Sequence, residues 1–254
     1  TEVTLPEKFE TVGTCAFCSA DKLATIDLGG TISLGGSAFE STSAKNGVNY
    51  RPELGRLTTI GDFAFSRTAQ SSVTLPDSVT TVGEQAFSES TALTSFHIGA
   101  GVTSFAETAL YNDRKIATLT VSADNPVYSA EHNVLYRKAN DGLHLMLSPA
   151  ANTLTDYTVR AGTVEIGATA FANNKTLTRV VLPEGLKVIG DDAFAGTTAL
   201  TELVIPESVE RSSGVTGNSL ELVEYGSKVT SIRMEGSWVP MPRRIVVRGG
   251  VDGS

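Results

Sequence analysis

The sequence predicts a repeat solenoid: strand-bearing coils stacked into a parallel column, β-rich but of α/β type, with short helical or 3-10 turns on the return side. Three observations predict it. The string VVLPEGLKVIGDDAFAGTTAL from Val180 to Leu200 reappears as VTLPDSVTTVGEQAFSESTAL from Val73 to Leu93. The spacing is nearly constant, with 23 positions from Leu177 to Leu200, from Pro183 to Pro206 and from Leu93 to Ile116, and 22 from Gly61 to Gly83. The third is a phenylalanine that returns in register as Phe17, Phe39, Phe65, Phe87, Phe171 and Phe194, with Leu110 in its place once. A self-similar unit of this length carries an apolar face that it cannot bury alone, so neighbouring units must stack.

Each element of the coil has its own reason. Leu177, Val180 and Leu182 alternate as in a short strand, and Pro183, Glu184 and Gly185 make a turn. Leu186, Val188, Ile189 and Gly190 follow, and Ala193 and Phe194 are expected on a short helical turn. Further copies begin at Val3, Thr158 and Leu203, with looser ones around Gly61 and Ala109. The phenylalanines read as a buried spine, each expected to cost about 3 to 5 kcal/mol if cut to alanine. Gly13, Gly61, Gly83, Gly167 and Gly190 are expected where a side chain would obstruct the coil.

The pattern LxxVxLPxxLxxIGxxAF resembles the BspA-like, treponemal-type leucine-rich repeat family, over residues 1 to about 210 with interruptions. The asparagine ladder of more familiar leucine-rich repeats is lacking. Members of the family are mostly surface or secreted proteins implicated in adhesion, so the resemblance implies a cell-surface or extracellular setting and an interaction role.

The domain reading is a solenoid over 1–210 and an irregular cap of short strands over 211–254. Ala109 to Ala170 is 61 positions, 15 more than two periods, which places an inserted hairpin at about 122–152. Asn125 and Pro126 open it, Val134 to Tyr136 and Leu143 to Leu147 are its strands, and Asn140, Asp141 and Gly142 are its turn. A smaller loop is expected from Ser41 to Arg56, through Asn46, Gly47, Arg51 and Pro52. Past Glu210, Ser212 to Gly214 and Gly217, Asn218 read as loop; Leu220 to Val223, Val229 to Ile232 and Arg244 to Val247 read as strands. Trp238, near Pro240 and Pro242, is expected to pack in the cap.

Composition narrows the function classes. Hydrophobic residues make up 41% and charged residues 19% of the chain, which fits a folded protein. Its 20 basic against 28 acidic residues, net -8, offer no basic stripe to a phosphate backbone, so no nucleic-acid partner is expected. There is no membrane-length apolar run, and Thr1 opens into a strand-like stretch without a leader; either the protein is cytosolic or a signal and an anchor were removed, and the second is the expectation.

Chemistry-bearing residues are few. Cys15 and Cys18 form a C-x-x-C, but they occupy the repeat positions of Gln85 or Asp192 and of Ser88 or Ala195, and two further zinc ligands are missing. A local disulfide or free thiols remain open. His97, His132 and His144 show no nucleophile arrangement, and Asp191, Asp192 and Glu184 sit on solvated returns. No phosphate-binding glycine loop, HExxH, GxSxG or calcium loop occurs. The reading is therefore not an enzyme, with no catalytic residue, cofactor or metal.

What remains is the outward side of the strand column. With Leu177, Val180 and Leu182 inward, Arg179 and Val181 point outward, and the same rule selects Thr25, Asp27, Ser72, Thr74, Ser95, His97, Thr118, Thr120, Asp156, Thr158, Glu202 and Val204. This threonine-rich row reads either as a solvated sheet or as a contact surface. It has no Trp or Tyr to stack on sugar rings, which puts a protein partner ahead of a glycan. The expected molecule is a monomeric, non-catalytic interaction or adhesion module; the alternatives are a passive spacer or targeting module of a larger surface protein and, last, a hydrolase.

Overall fold

A computed structural model describes residues 1–42, 56–213, 215, 220–228 and 244–248, and the backbone of 49–51 and 231–233. Asn46, Gly47, Pro52, Gly214, Gly217, Asn218, Val229, Thr230, Trp238, Pro240 and Pro242 lie outside the described residues. The chain forms two compact units, Thr1–Ser129 and Ala130–Ser254.

The alternating apolar residues of each coil form the expected strand. These are β1 (Glu2–Thr4), β3 (Thr25–Asp27), β5 (Asn49–Arg51), β7 (Ser72–Thr74), β9 (Ser95–Ile98) and β11 (Thr118–Val121) in the first unit. The second unit adds β15 (Asp156–Thr158), β17 (Arg179–Val181), β19 (Glu202–Val204), β21 (Leu222–Tyr225) and β23 (Arg244–Val247). Pairing is parallel, within the sheets β1-β3-β5, β7-β9-β11, β15-β17 and β19-β21-β23. Equivalent residues meet, as Val73 with Phe96 and Phe96 with Leu119.

A second column stands where the Val-Ile-Gly segment lies. It consists of β2 (Thr11–Val12), β4 (Ser33–Leu34), β6 (Thr59–Ile60), β8 (Thr81–Val82) and β10 (Ser104–Phe105) in the first unit. In the second unit the column strands are β16 (Thr163–Ile166), β18 (Val188–Ile189), β20 (Arg211–Ser213) and β22 (Ser231–Arg233). Glycine follows most of these strands because the coils approach closely there, whereas at Gly13, in the first coil, a Cβ would meet nothing within 4 Å, contrary to expectation. A Cβ on Gly61 would stand 2.8 Å from the Leu34 carbonyl oxygen, and one on Gly190 would stand 2.6 Å from the Ala168 nitrogen.

The inserted hairpin joins the second column. β12 (Tyr128–Glu131) turns through His132 and Asn133, both at positive φ as a two-residue hairpin turn of type I′ requires, into β13 (Val134–Ala139). β14 (Gly142–Leu147) returns antiparallel to β13 and pairs parallel with β16. The insertion therefore supplies a column strand. Beyond Glu210 both columns continue in register, although Leu203 to Val223 is 20 positions and Val223 to Ile245 is 22. That drift is why the repeat pattern fades there.

The return side differs from expectation: no helix occurs among the described residues. Instead the arc alternates its donors. Ala16 and Cys18 donate their N–H within the coil, to Gly13 and Cys15, whereas Cys15, Phe17 and Ser19 donate to Gly36, Ala38 and Glu40 of the next. The same alternation links Thr169, Phe171 and Asn173 to Asp191, Ala193 and Ala195. Left-handed residues spaced four apart make it possible, at Cys15 and Ser19, Ser37 and Ser41, Phe63 and Arg67, Gln85 and Glu89, and Thr169 and Asn173. A helix would spend every N–H within its own coil and leave the edges of the arc unpaired.

The spine lies under this arc. Phe39, Phe65, Phe87, Phe171 and Phe194 are at most 2% exposed, and Phe17, in the first coil, is half-buried. Stacked ring centroids are 5.3 Å apart for Phe17 and Phe39, 5.5 Å for Phe39 and Phe65, 5.2 Å for Phe65 and Phe87, and 5.2 Å for Phe171 and Phe194. Three residues after the spine runs a buried polar column: Thr42, Thr68, Ser90 and Asp113 in the first unit, Asn174 and Thr197 in the second. Thr68 and Thr197 donate their hydroxyls to the Phe65 and Phe194 carbonyls at 2.8 and 2.7 Å. This column takes up backbone groups as an asparagine ladder would, with residue types that vary from coil to coil.

Candidate partner-contact face

The fourteen outward positions fall on β3, β7, β9, β11, β15, β17 and β19, and each alternates with a buried neighbour. Ser72, Thr74, Thr118, Thr120, Asp156, Thr158, Arg179, Glu202 and Val204 are exposed; Thr25, Asp27, Ser95, His97 and Val181 are intermediate. Between them point Ile26, Val73, Phe96, Leu119, Tyr157, Val180 and Leu203, all buried.

Pairing brings the outward residues into rows. In the first unit Ser72 aligns with Ser95 and Thr118, and Thr74 with His97 and Thr120. His97 Nδ1 lies 2.8 Å from the Thr120 hydroxyl, so the row is fixed by a side-chain hydrogen bond at its centre. Thr25 and Asp27 align with Glu2 and Thr4 in a separate sheet. In the second unit Asp156 aligns with Arg179 and Thr158 with Val181, while Glu202 and Val204 align with Leu222 and Glu224. Val204 leaves 53% of its surface in solvent.

Beside β15 the second unit carries an open cleft of about 680 Å³, whose walls include Glu131, His132, Leu154, Asp156, Tyr157 and Arg160. Beneath it the Tyr136 and Tyr157 hydroxyls lie 2.5 Å apart, both residues buried. Burial, and for Tyr157 also the neighbouring Tyr136 hydroxyl, pushes both phenols above their ordinary range, so they remain neutral donors. Arg160 lies with its guanidinium carbon 5.2 Å from the centre of the Tyr136 ring, and its Nε is 3.3 Å from Glu131.

The hairpin carries the densest set of charges. Arg137 lies 2.9 Å from His144 Nδ1, and the His144 Nε2–H donates to the Asp141 carboxylate at 3.0 Å. That hydrogen bond holds Asp141 below the usual carboxylate range. Glu165 approaches the same Nδ1 at 3.1 Å. Both ring nitrogens are thus engaged by protein groups. Cys15 and Cys18 form a disulfide across one turn of the first coil's return arc, with Cα atoms 4.8 Å apart. Among the described residues no group of three or more His, Cys, Asp or Glu could hold a metal ion, and no helix is long and apolar enough to cross a membrane.

The repeat geometry has a counterpart among known families. The profile of the BspA type leucine rich repeat region matches the sequence in six copies, over residues 1–55, 58–139 and 150–235. The chain belongs to the BspA type leucine-rich repeat family. Solved structures share the fold of this family member. A leucine-rich repeat protein from Eubacterium ventriosum superposes with TM-score 0.69 at 24% identity, covering 93% of this chain and 66% of its own. A leucine rich cell surface protein from Faecalibacterium prausnitzii gives 0.64 at 22%, covering 94% and 80%. The pneumococcal vaccine antigen PcpA gives 0.65 at 18%, covering 92% and 76%. The family member described here thus spans just under two thirds of the Eubacterium protein. No curated protein matches its sequence.

Two features of the site have no signature in the sequence. The walls of the cleft come from residues up to 30 positions apart, Glu131 to Ala161, which share no repeat register. The tyrosine pair joins a hairpin strand to a column strand and belongs to no repeat register. A buried tyrosine needs a partner for its hydroxyl, and that need was the one available signal.

Proposed function

We propose that this chain is a non-catalytic protein-interaction module of a cell-surface or secreted bacterial protein, acting as a single copy and binding through the outward face of its long strand column. The observation that carries the reading is the aligned row Thr74, His97, Thr120 with its neighbours Ser72, Ser95 and Thr118: small polar side chains, outward on a rigid ladder, over a buried apolar row. Solenoids present such faces to macromolecules because stacked coils make an extended surface. Support for the setting comes from the family and from two fold relatives, one described as a cell surface protein and one as a vaccine antigen. Support for the absence of catalysis comes from two of the histidines, since His144 has both nitrogens engaged and His97 sits against Thr120.

The test is a capture experiment against host and bacterial surface extracts, comparing the native chain with a variant carrying Thr74→Glu, His97→Glu, Thr120→Glu and Arg179→Glu. The variant must first show an unchanged circular dichroism spectrum. A protein held by the native chain and lost by the folded variant is the expected result. Equal capture by both would sink the reading.

A further inference from the structure

β15 has an edge that no strand among the described residues pairs, and that edge lies beside a cleft. Its one strand partner is β17. Arg179 N–H donates to the Thr155 carbonyl at 3.1 Å and Val159 N–H donates to the Val181 carbonyl at 2.9 Å, with Tyr157 opposite Val180 between them. In a parallel ladder alternate residues turn their backbone groups to the same side. Thr155, Tyr157 and Val159 therefore face β17, while Asp156 and Thr158 aim their N–H and C=O groups at the opposite edge. No strand among the described residues takes up those groups, and the edge forms one wall of the cleft of about 680 Å³. The usual devices that blunt such an edge, a proline or a lysine, are absent from 154–159.

We propose that this edge is a docking groove for an extended segment of a partner protein, which adds to β15 as a further strand. Hydrogen bonds to Asp156 and Thr158 would hold its main chain, and alternate side chains would set its specificity. Side chains directed inward meet Leu154 and Tyr157, so they are apolar. Those directed outward pass the exposed carboxylate of Asp156, on a chain of net charge -8, so they are basic; Glu131, the other acid of the wall, is held by Arg160 at 3.3 Å. The occupant is thus a segment that alternates lysine or arginine with aliphatic residues. His132 is fixed at the rim by its turn conformation and by Asn152, whose Nδ2 donates to the His132 carbonyl at 2.9 Å, so the groove wall is preformed. The inference rests on the interaction-module reading and adds to it a mode and a place.

The probe is a fluorescent seven-residue peptide of alternating lysine and valine, followed by anisotropy and by amide hydrogen exchange. Expected are saturable binding, slowed exchange at the Asp156 and Thr158 amides, and at least tenfold weaker binding both for the same peptide N-methylated at alternate residues and for a glutamate and valine version. Thr158→Pro removes one edge donor without touching the ladder to β17, and it should also weaken binding at least tenfold. Should that variant misfold, the N-methylated peptide still decides. Unchanged exchange at those two amides, or equal binding by the N-methylated or the acidic peptide, overturns the proposal. For a partner captured from extracts, loss with Thr158→Pro supports the groove. Loss with Thr74→Glu, His97→Glu and Thr120→Glu together but not with Thr158→Pro overturns the groove and leaves the face reading standing.

Discussion

Asn174 in the second unit and Asp113 in the first occupy the same place in the coil, three residues after Phe171 and after Leu110, and both are buried. Asn174 uses both ends of its amide. Its Oδ1 accepts from the Thr176 and Leu177 N–H groups at 3.0 and 2.9 Å, and its Nδ2 donates to the Asn152 carbonyl at 3.3 Å. Asp113 accepts one bond, from the Ser90 N–H at 2.7 Å, and its Oδ2 has no partner among the described residues. Burial then pushes its pKa from 3.8 to about 8, with Glu89 adding to the rise and the Ser90 hydrogen bond opposing it. Size and polarity admit a residue to this column; donor and acceptor balance decides whether it sits there without a penalty.

The largest effect expected is on the spine that both polar columns flank. Phe194→Ala, at a position 0% exposed, should cost about 3 to 5 kcal/mol in urea unfolding, and Phe17→Ala, half-buried in the first coil, less than half of that. Equal losses would show that the two coils are equally packed and remove the ground for ranking columns by burial. Next comes the charge of Asp113. Its folded pKa lies above its unfolded value, so its contribution to stability is complete below about pH 4 and is lost as the pH rises through about 8. Thermal melts of the native chain should therefore show stability falling by roughly 1 kcal/mol per pH unit from about pH 5 to 8 through this group. Asp113→Asn should flatten that slope while keeping an acceptor for Ser90, and an unaltered slope would mean the carboxyl is not held protonated.

Asn174→Ala strands the Thr176 and Leu177 N–H groups and should cost about 2 kcal/mol by the same urea assay, whereas Thr197→Ala, which removes a single bond to Phe194, should cost about 1 kcal/mol. A reversed order would refute the argument from donor and acceptor balance. Smallest is Thr74→Ala on the exposed face, expected within about 0.5 kcal/mol of the native chain. A larger loss would mean that the row is structural and would count against its use as a contact surface.

How much of this was legible in the sequence follows from which interactions repeat. The spine and the long strands were legible because Phe, Val and Leu recur in identity as well as place. The hairpin was legible through Asn140, Asp141 and Gly142, a turn that announces itself locally. The second column was not, since strands of two residues such as Val188–Ile189 are too short to show alternation. The helical expectation for the return arc came from reading Ala193 and Phe194 in isolation. The arc is governed by hydrogen bonds to the next coil, 21 or more residues away, and by left-handed residues as different as Gln85, Thr169 and Asp192. The polar column was hidden for a similar reason, because Thr, Ser, Asn and Asp share its register without sharing an identity. The outward face could be assigned position by position from strand alternation alone, whereas the β15 cleft brings Glu131 and His132 of the hairpin against residues 154–161.

The alternating donors of the return arc also determine how each unit responds to force. On all three sides of a coil, the two columns and the arc, the bonds to the next coil run along the stack. Tension applied along that direction loads the inter-coil steps in series, so all carry the same force and the weakest yields first. Each failure frees about 23 residues, or roughly 75 to 80 Å of extended chain. Pulled from its ends, such a stack pays out length a coil at a time and dissipates a sudden load over many small ruptures.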